Sequence, residues 1–148
     1  MMSIKFTILG CGSSMGVPRP DGSWGNCNPN EKKNYRTRCS ALIKSKNLTI
    51  LFDASPDLRN QLIRENIKNI DKVFFSHSHG DQTHGINDLR IFYLKNGKKI
   101  DVYTNSSTKK YLKKSFSYCF FGKPEYPAIL KFKKFKQNIS FKDKHEII

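Results

Sequence analysis

Carboxylates, histidines and cysteines are all scarce in this chain, and each scarcity narrows what it can be. Of 148 residues, 12 are Asp or Glu against 27 Lys or Arg, a formal net charge of +15. A surface so poor in acid attracts phosphate polymers. No apolar run approaches the ~20 residues of a membrane-spanning helix. The opening stretch, Met1 to Leu9, is too short and too strand-like for a signal peptide. No A-x-A-type cleavage site follows it, so the chain reads as cytoplasmic. The four cysteines (Cys11, Cys27, Cys39 and Cys119) form no C-x-x-C pair, which argues against a zinc ribbon. In a reducing compartment they stay as thiols, read as small, semi-buried side chains. Internal repeats and low-complexity linkers are also missing, and residues 1–148 read as a single domain. A domain of this length can bury roughly 68–70% of its unfolded surface and hold its own core.

The positive charge is unevenly spread. Residues 95–148 carry 14 Lys or Arg and 4 Asp or Glu, a surplus of ten, against five for the longer first part. Lysine outnumbers arginine 21 to 6. Clamping phosphates and reading bases usually call on the arginine fork. The charge therefore supports non-specific attraction to nucleic acid and no more.

Hydrophobic patterning predicts an α/β arrangement. Ile4–Leu9 alternates and reads as a strand, followed by the glycine-rich turn Gly10–Gly16. Pro18 and Pro20 leave no room for the helix that a phosphate-cradling loop needs, so residues 17–38 are expected to form a long surface loop, with Trp24 as an anchor. Strands are expected at 40–44 and 48–52. A helix should start at Ser55-Pro56-Asp57, with Ser55 as cap, and run to Asn66. A strand over 72–75, a helix over 85–94 and a strand over 101–104 should follow. Beyond them come a basic helix capped by Ser106 or Ser107, running to Cys119, and a lysine-rich edge strand within 129–135. The expected order is β-β-β-α-β-α-β-α-β.

Three of the four histidines fall in one segment, Ser76-His77-Ser78-His79-Gly80-Asp81-Gln82-Thr83-His84-Gly85. It directly follows an apolar strand, and such strand ends are where α/β proteins tend to hold their sites. In an extended segment, His77, His79 and Asp81, spaced two apart, can lean toward one point. Imidazoles bind zinc, and a carboxylate binds it or holds a ligand histidine in place. The cluster therefore points to a metal and to hydrolysis.

The segment resembles the H-x-H-x-D-H motif of the metallo-β-lactamase superfamily. The resemblance extends to Leu9–Ser14, Val17–Pro20, Trp24–Cys27, Arg36–Ser40, Asp53–Arg59 and His84–Arg90. Together these are similar to the phosphoribosyl cyclic phosphodiesterase branch, a relative of the tRNA 3′-processing endonucleases. The resemblance implies an αββα sandwich, of which this chain would be the N-terminal half, with a two-metal site and phosphodiester hydrolysis. By that resemblance, His77 and His79 are ligands of a first metal, zinc or manganese. Asp81 is a ligand of a second metal and the catalytic carboxylate.

The motif's last histidine is replaced by Gln82, whose amide oxygen is a poor zinc ligand beside imidazole. His84, two positions later, is the other imidazole of the cluster that can take that place. The family's later ligands have no match here. After His84 the chain holds only His145, Asp88, Asp101 and Asp143 as histidine or aspartate. The chain is thus expected to be C-terminally truncated, with an incomplete ligand set. Three readings follow. It is a phosphodiester hydrolase, impaired by its missing ligands. It is an inactive or split-gene fragment that needs a complementary C-terminal chain or self-association. Or it is a basic module that binds nucleic acid.

Overall fold

The computed structural model describes residues 3–136, 138–143 and 146–147. Six strands form one sheet in the order of the chain: β1 (Lys5–Gly10), β2 (Ser40–Lys44), β3 (Thr49–Phe52), β4 (Lys72–Phe74), β5 (Ile100–Tyr103) and β6 (Leu130–Phe132). The first three strands are antiparallel neighbours, and β3 to β6 are parallel. Parallel neighbours need crossovers. These are α1 (Leu58–Arg64), α2 (Gly80–Thr83) with α3 (Arg90–Asn96), and α4 (Ser106–Ser115) with α5 (Ser117–Phe121). A two-stranded hairpin of β7 (Lys142–Asp143) and β8 (Glu146–Ile147) lies apart from this sheet. No helix among the described residues is long and apolar enough to cross a membrane.

Cross-strand partners share a face of the sheet, so the register assigns both faces. One face carries Leu42, Leu51, Val73 and Val102 in a row. All four are buried in the same cluster as Leu58 and Leu62 of α1, Leu89 and Phe92 around α3, and Leu112 and Phe120 of α4 and α5. The other face carries Phe6 against Ile43 and Ile8 against Ala41, continuing into Phe52, Phe74 and Tyr103. The Phe52, Phe74 and Tyr103 rings stack at 5.4 and 4.7 Å. The Phe141 ring packs edge-on over Phe74 and Tyr103, whereas Phe6 and Ile8 at the β1 end are 61% and 62% exposed. A β1 side chain facing away from the helices therefore meets solvent.

The expected order of elements is present, with local differences. Ser55 does not cap α1. Its hydroxyl accepts from the Asp57 amide at 3.2 Å and donates to Gln61, and the helix begins three residues later. The carboxylate of Asp57 is occupied by Arg38 instead. It accepts from that residue's Nε at 2.8 Å, its Nη2 at 2.7 Å and its backbone amide at 2.9 Å. The fork ties the end of the long loop to the start of α1. The basic helix α4 is capped by Asn105, which accepts from the Thr108 amide at 2.9 Å, and not by either serine after it. The segment 85–94 is a 3₁₀ turn over Ile86–Leu89 that runs into α3. Gly97 closes α3 in the left-handed conformation, as expected of an αL cap. The 17–38 loop has no strand, only a 3₁₀ turn at Lys32–Asn34, and Trp24 is half-buried.

Charge-assisted hydrogen bonds are worth about 1.5–3 kcal/mol each, so the Arg38–Asp57 fork is a local anchor of the loop. Arg38 holds the Asp57 carboxyl below the usual carboxylate range. A depressed carboxylate contributes stability above its unfolded value near ~3.9, which is lost as pH falls through the lower folded value. We expect Asp57→Asn to destabilise the chain by about 1–3 kcal/mol at neutral pH. The difference should shrink toward zero in denaturation series below pH ~3. An equal deficit at pH 7 and in acid would show that the fork contributes nothing.

Candidate metal centre

The parallel strands β3, β4 and β5 end at one edge of the sheet, and the histidine segment grows from that edge. Three backbone bonds hold it there. Asp53 N–H donates to the Phe74 carbonyl at 2.8 Å, Phe75 N–H to Tyr103 at 3.0 Å and Ala54 N–H to Gln82 at 2.7 Å. Gly85 returns a bond from its amide to the Ala54 carbonyl at 2.8 Å. A β-carbon at Gly85 would collide with the Ser55 carbonyl, so this close approach of two loops requires glycine.

His77 is set by a relay. The Asp53 carboxylate accepts from the Ser76 backbone amide and from the Ser76 hydroxyl, both at 2.7 Å. The same hydroxyl lies 2.9 Å from His77 Nδ1. A serine hydroxyl has one proton, and here it goes to the carboxylate. His77 Nδ1 must then carry the proton donated to Ser76 Oγ, which leaves Nε2 with a free lone pair. This is the arrangement that orients a ligand imidazole. Burial of Asp53 pushes its carboxyl above the ordinary value, and the Ser76 hydrogen bonds pull the other way. Asp53 also takes a left-handed backbone (φ 59°), a conformation aspartate tolerates better than most residues.

His79 caps α2 with an extended backbone, and its carbonyl accepts from the Gln82 amide at 3.1 Å and the Thr83 hydroxyl at 2.8 Å. The segment is therefore half loop and half helical turn, where an open loop was expected. Its imidazole stands with the centroid 4.6 Å from that of His77, the two planes at 73°. Both rings are exposed.

The other expected residues are engaged elsewhere. Asp81 accepts from the Gln82 amide nitrogen at 3.0 Å. Gln82 is buried, and its Oε1 has no hydrogen-bond partner. His84 Nε2 lies 3.2 Å from the Tyr111 hydroxyl of α4, with its ring edge-on to Phe116. The structure thus brings His77 and His79 together, and among the described residues no group of three His, Cys, Asp or Glu side chains stands close enough to share an ion. The residues present fit a two-imidazole half of a metal site. The unpaired Gln82 Oε1 is a further neutral oxygen donor beside Asp81. His145 lies outside the described residues.

Patterning alone did not reveal the Ser76 relay, because its partner is 23 residues away. A groove of about 790 Å³ between α1 and α3, lined by Leu62, Ile63, Ile91 and Leu94, contains none of the cluster residues. The candidate centre is an open shelf at the sheet edge.

Known proteins resemble this chain. A protein of Porphyromonas gingivalis named octanoyltransferase is 31% identical over 141 residues, covering 93% of this chain and 28% of that one. The ribonuclease Z of Crocosphaera subtropica is 31% identical over 80 residues, 51% of this chain and 26% of the enzyme. The solved structure of a diphosphatase from the PhnP family superposes with a TM-score of 0.78 at 27% identity, covering 96% of this chain and 54% of that one. The chain thus spans about half of that structure and little more than a quarter of either curated relative. The family model described as a beta-lactamase superfamily domain matches residues 48–147, from β3 through the histidine segment to the final hairpin, and this chain belongs to that family.

Proposed function

We propose that this chain carries the His77–His79 half of a metal-dependent phosphodiester hydrolase site, with zinc, or manganese in its place, as the metal. The observation that carries the reading is the Asp53–Ser76–His77 relay beside His79, which leaves His77 Nε2 unprotonated and aims one imidazole next to another. A metal bound there would supply a water whose pKa is lowered toward neutrality. His77 and His79 hold the ion, and Asp53 and Ser76 fix the tautomer and orientation of His77. Asp81 is the carboxylate for a second ion. His84 is the reserve imidazole, held by Tyr111 in the present arrangement. The lysines of α4, which lies against His84, favour a polyanionic substrate such as a nucleic acid.

Gln82 stands where the family motif carries a histidine, so we read the ligand set as incomplete and the activity of this chain alone as weak. The site works in the cytoplasm, as part of a longer assembly. The exposed Phe6 and Ile8 favour a complementary segment that covers the β1–β2 end of the sheet. The ribonuclease Z and diphosphatase likenesses support the phosphodiester class.

Metal binding is tested by competition with a chromophoric zinc chelator. His77→Ala should abolish stoichiometric binding. Ser76→Ala should weaken it about 10- to 100-fold, the usual effect of losing an outer-shell partner. Gln82→His should tighten it. Equal affinity in all four proteins would remove the assignment.

Activity is tested on an aryl phosphodiester with zinc or manganese, with His77→Ala as control. We expect slow turnover by the chain alone and faster turnover when the C-terminal part of a full-length relative is co-expressed. Ile8→Lys should leave the chain's own stability within about 0.5 kcal/mol, as for an exposed position, yet cancel the rescue. No turnover above the control under either condition would overturn the enzymatic reading.

A further inference from the structure

Two of the four cysteines are brought together by the fold although they are 28 positions apart. After β1 the chain runs on past Gly10, which pairs with Ser40, to Gly12, which bridges to Arg38. Cys11 lies between Gly10 and Gly12, and Cys39 between Arg38 and Ser40, so the residues flanking one cysteine are paired with the residues flanking the other. The crossing is held firmly. Gly12 N–H donates to the Thr37 carbonyl at 2.7 Å, and the Cys39 thiol points at the Gly12 carbonyl, 3.3 Å away. The Gln61 amide donates to the Arg38 carbonyl at 2.8 Å, pinning the same strip from the α1 side. Both cysteines are exposed. The remaining two differ. Cys119 is buried in the helical core, where burial pushes its thiol up to about 11, and Cys27 is exposed in the long loop.

We propose that Cys11 and Cys39 are a reversible dithiol–disulfide site, oxidised by peroxide, at the border of the candidate metal centre. A disulfide spans a Cα separation of about 4.4–6.8 Å, and Cys11 and Cys39 stand between the antiparallel Gly10–Ser40 pair and the parallel Gly12–Arg38 bridge. Cytosolic disulfides are typically transient and redox-sensing, and exposure of both sulfurs suits that use.

The chemistry balances with hydrogen peroxide as the oxidant. The Cys11 thiolate attacks one peroxide oxygen, the O–O bond breaks, and a sulfenic acid and hydroxide form. The Cys39 sulfur then attacks the sulfenic sulfur. The S–S bond forms, and the hydroxyl leaves as water with the Cys39 proton. Two thiols and one peroxide become one disulfide and two waters.

Cys11 takes the attacking role because the Cys39 thiol is pushed upward, first by its partial desolvation, then by the negative charge of Cys11 and of the carboxylates Asp81 and Asp53. Ser40, the residue after Cys39, donates its hydroxyl to the Asp53 carbonyl at 2.9 Å. The dithiol therefore adjoins the residues that orient His77, without being one of them.

The test uses the full chain. It is treated with equimolar hydrogen peroxide, unfolded, alkylated with N-ethylmaleimide, and analysed by intact mass and peptide mapping. We expect the mass to fall by two hydrogens, two of the four thiols to become unreactive, and a Cys11–Cys39 cross-linked peptide that dithiothreitol removes. Cys27→Ser should behave like the parent, whereas Cys11→Ser and Cys39→Ser should each lose the cross-link. Mapping the untreated-sequence chain directly keeps the test independent of whether those variants fold. Four alkylated thiols after peroxide, or a cross-link that involves Cys27, would overturn the proposal.

Discussion

The arrangement at the sheet edge depends on one carboxylate, Asp53. Both of its oxygens are taken by Ser76, one by the backbone amide and one by the hydroxyl. The first bond joins the end of β3 to the segment leaving β4, next to the backbone bond from Asp53 to Phe74. The second decides where the proton on His77 sits. A structural tie between two parallel strands and the tautomer of the His77 imidazole are thus set by the same residue. The left-handed backbone of Asp53 is part of this, because it turns the carboxylate back toward β4 as the chain leaves the strand.

Around that tie the two faces of the sheet have unlike fates. The helix face is packed by α1, α3, α4 and α5, and its central residues Leu51, Val73 and Val102 are fully buried. The opposite face is graded. At the β5 end the Phe141 ring and a row of charges cover it, with Lys72 and Lys131 both reaching Asp101 at 3.4 and 3.3 Å. At the β1 end Phe6 and Ile8 are open to water. Leaving such side chains exposed forgoes about 25 cal/mol for each Å² of apolar surface that a covering layer would bury.

Much of this was legible in the sequence, and most of what was not has a common cause. Period-two alternation marked β1, and the apolar runs marked β2 to β5. The histidine spacing marked the segment that carries the centre. What local pattern could not reveal were bonds between residues far apart in the chain. Ser55 and Asp57 look like a helix start, yet Arg38, 19 positions earlier, claims the Asp57 carboxylate and the helix begins later. Ser106 and Ser107 look like caps, but the residue before them, Asn105, does the work. His84 sits in the cluster by sequence, while Tyr111, 27 positions on, engages its ring. For Asp57 and His84 a longer-range partner takes the group, whereas the Asn105 cap is local, three residues from Thr108.

Gln82 carries the same question of partners into the centre itself. Its amide nitrogen serves Asp81, holding a carboxylate that would otherwise be free to turn, while its oxygen is buried without a partner. A buried acceptor left unpaired costs about 1–3 kcal/mol. A neutral imidazole here could give its one N–H to Asp81 and keep a lone pair on its other nitrogen, whereas the amide, with its nitrogen on Asp81, has only the carbonyl oxygen to offer. The amide thus holds Asp81 through one N–H and leaves a buried oxygen that a donor or a cation would satisfy.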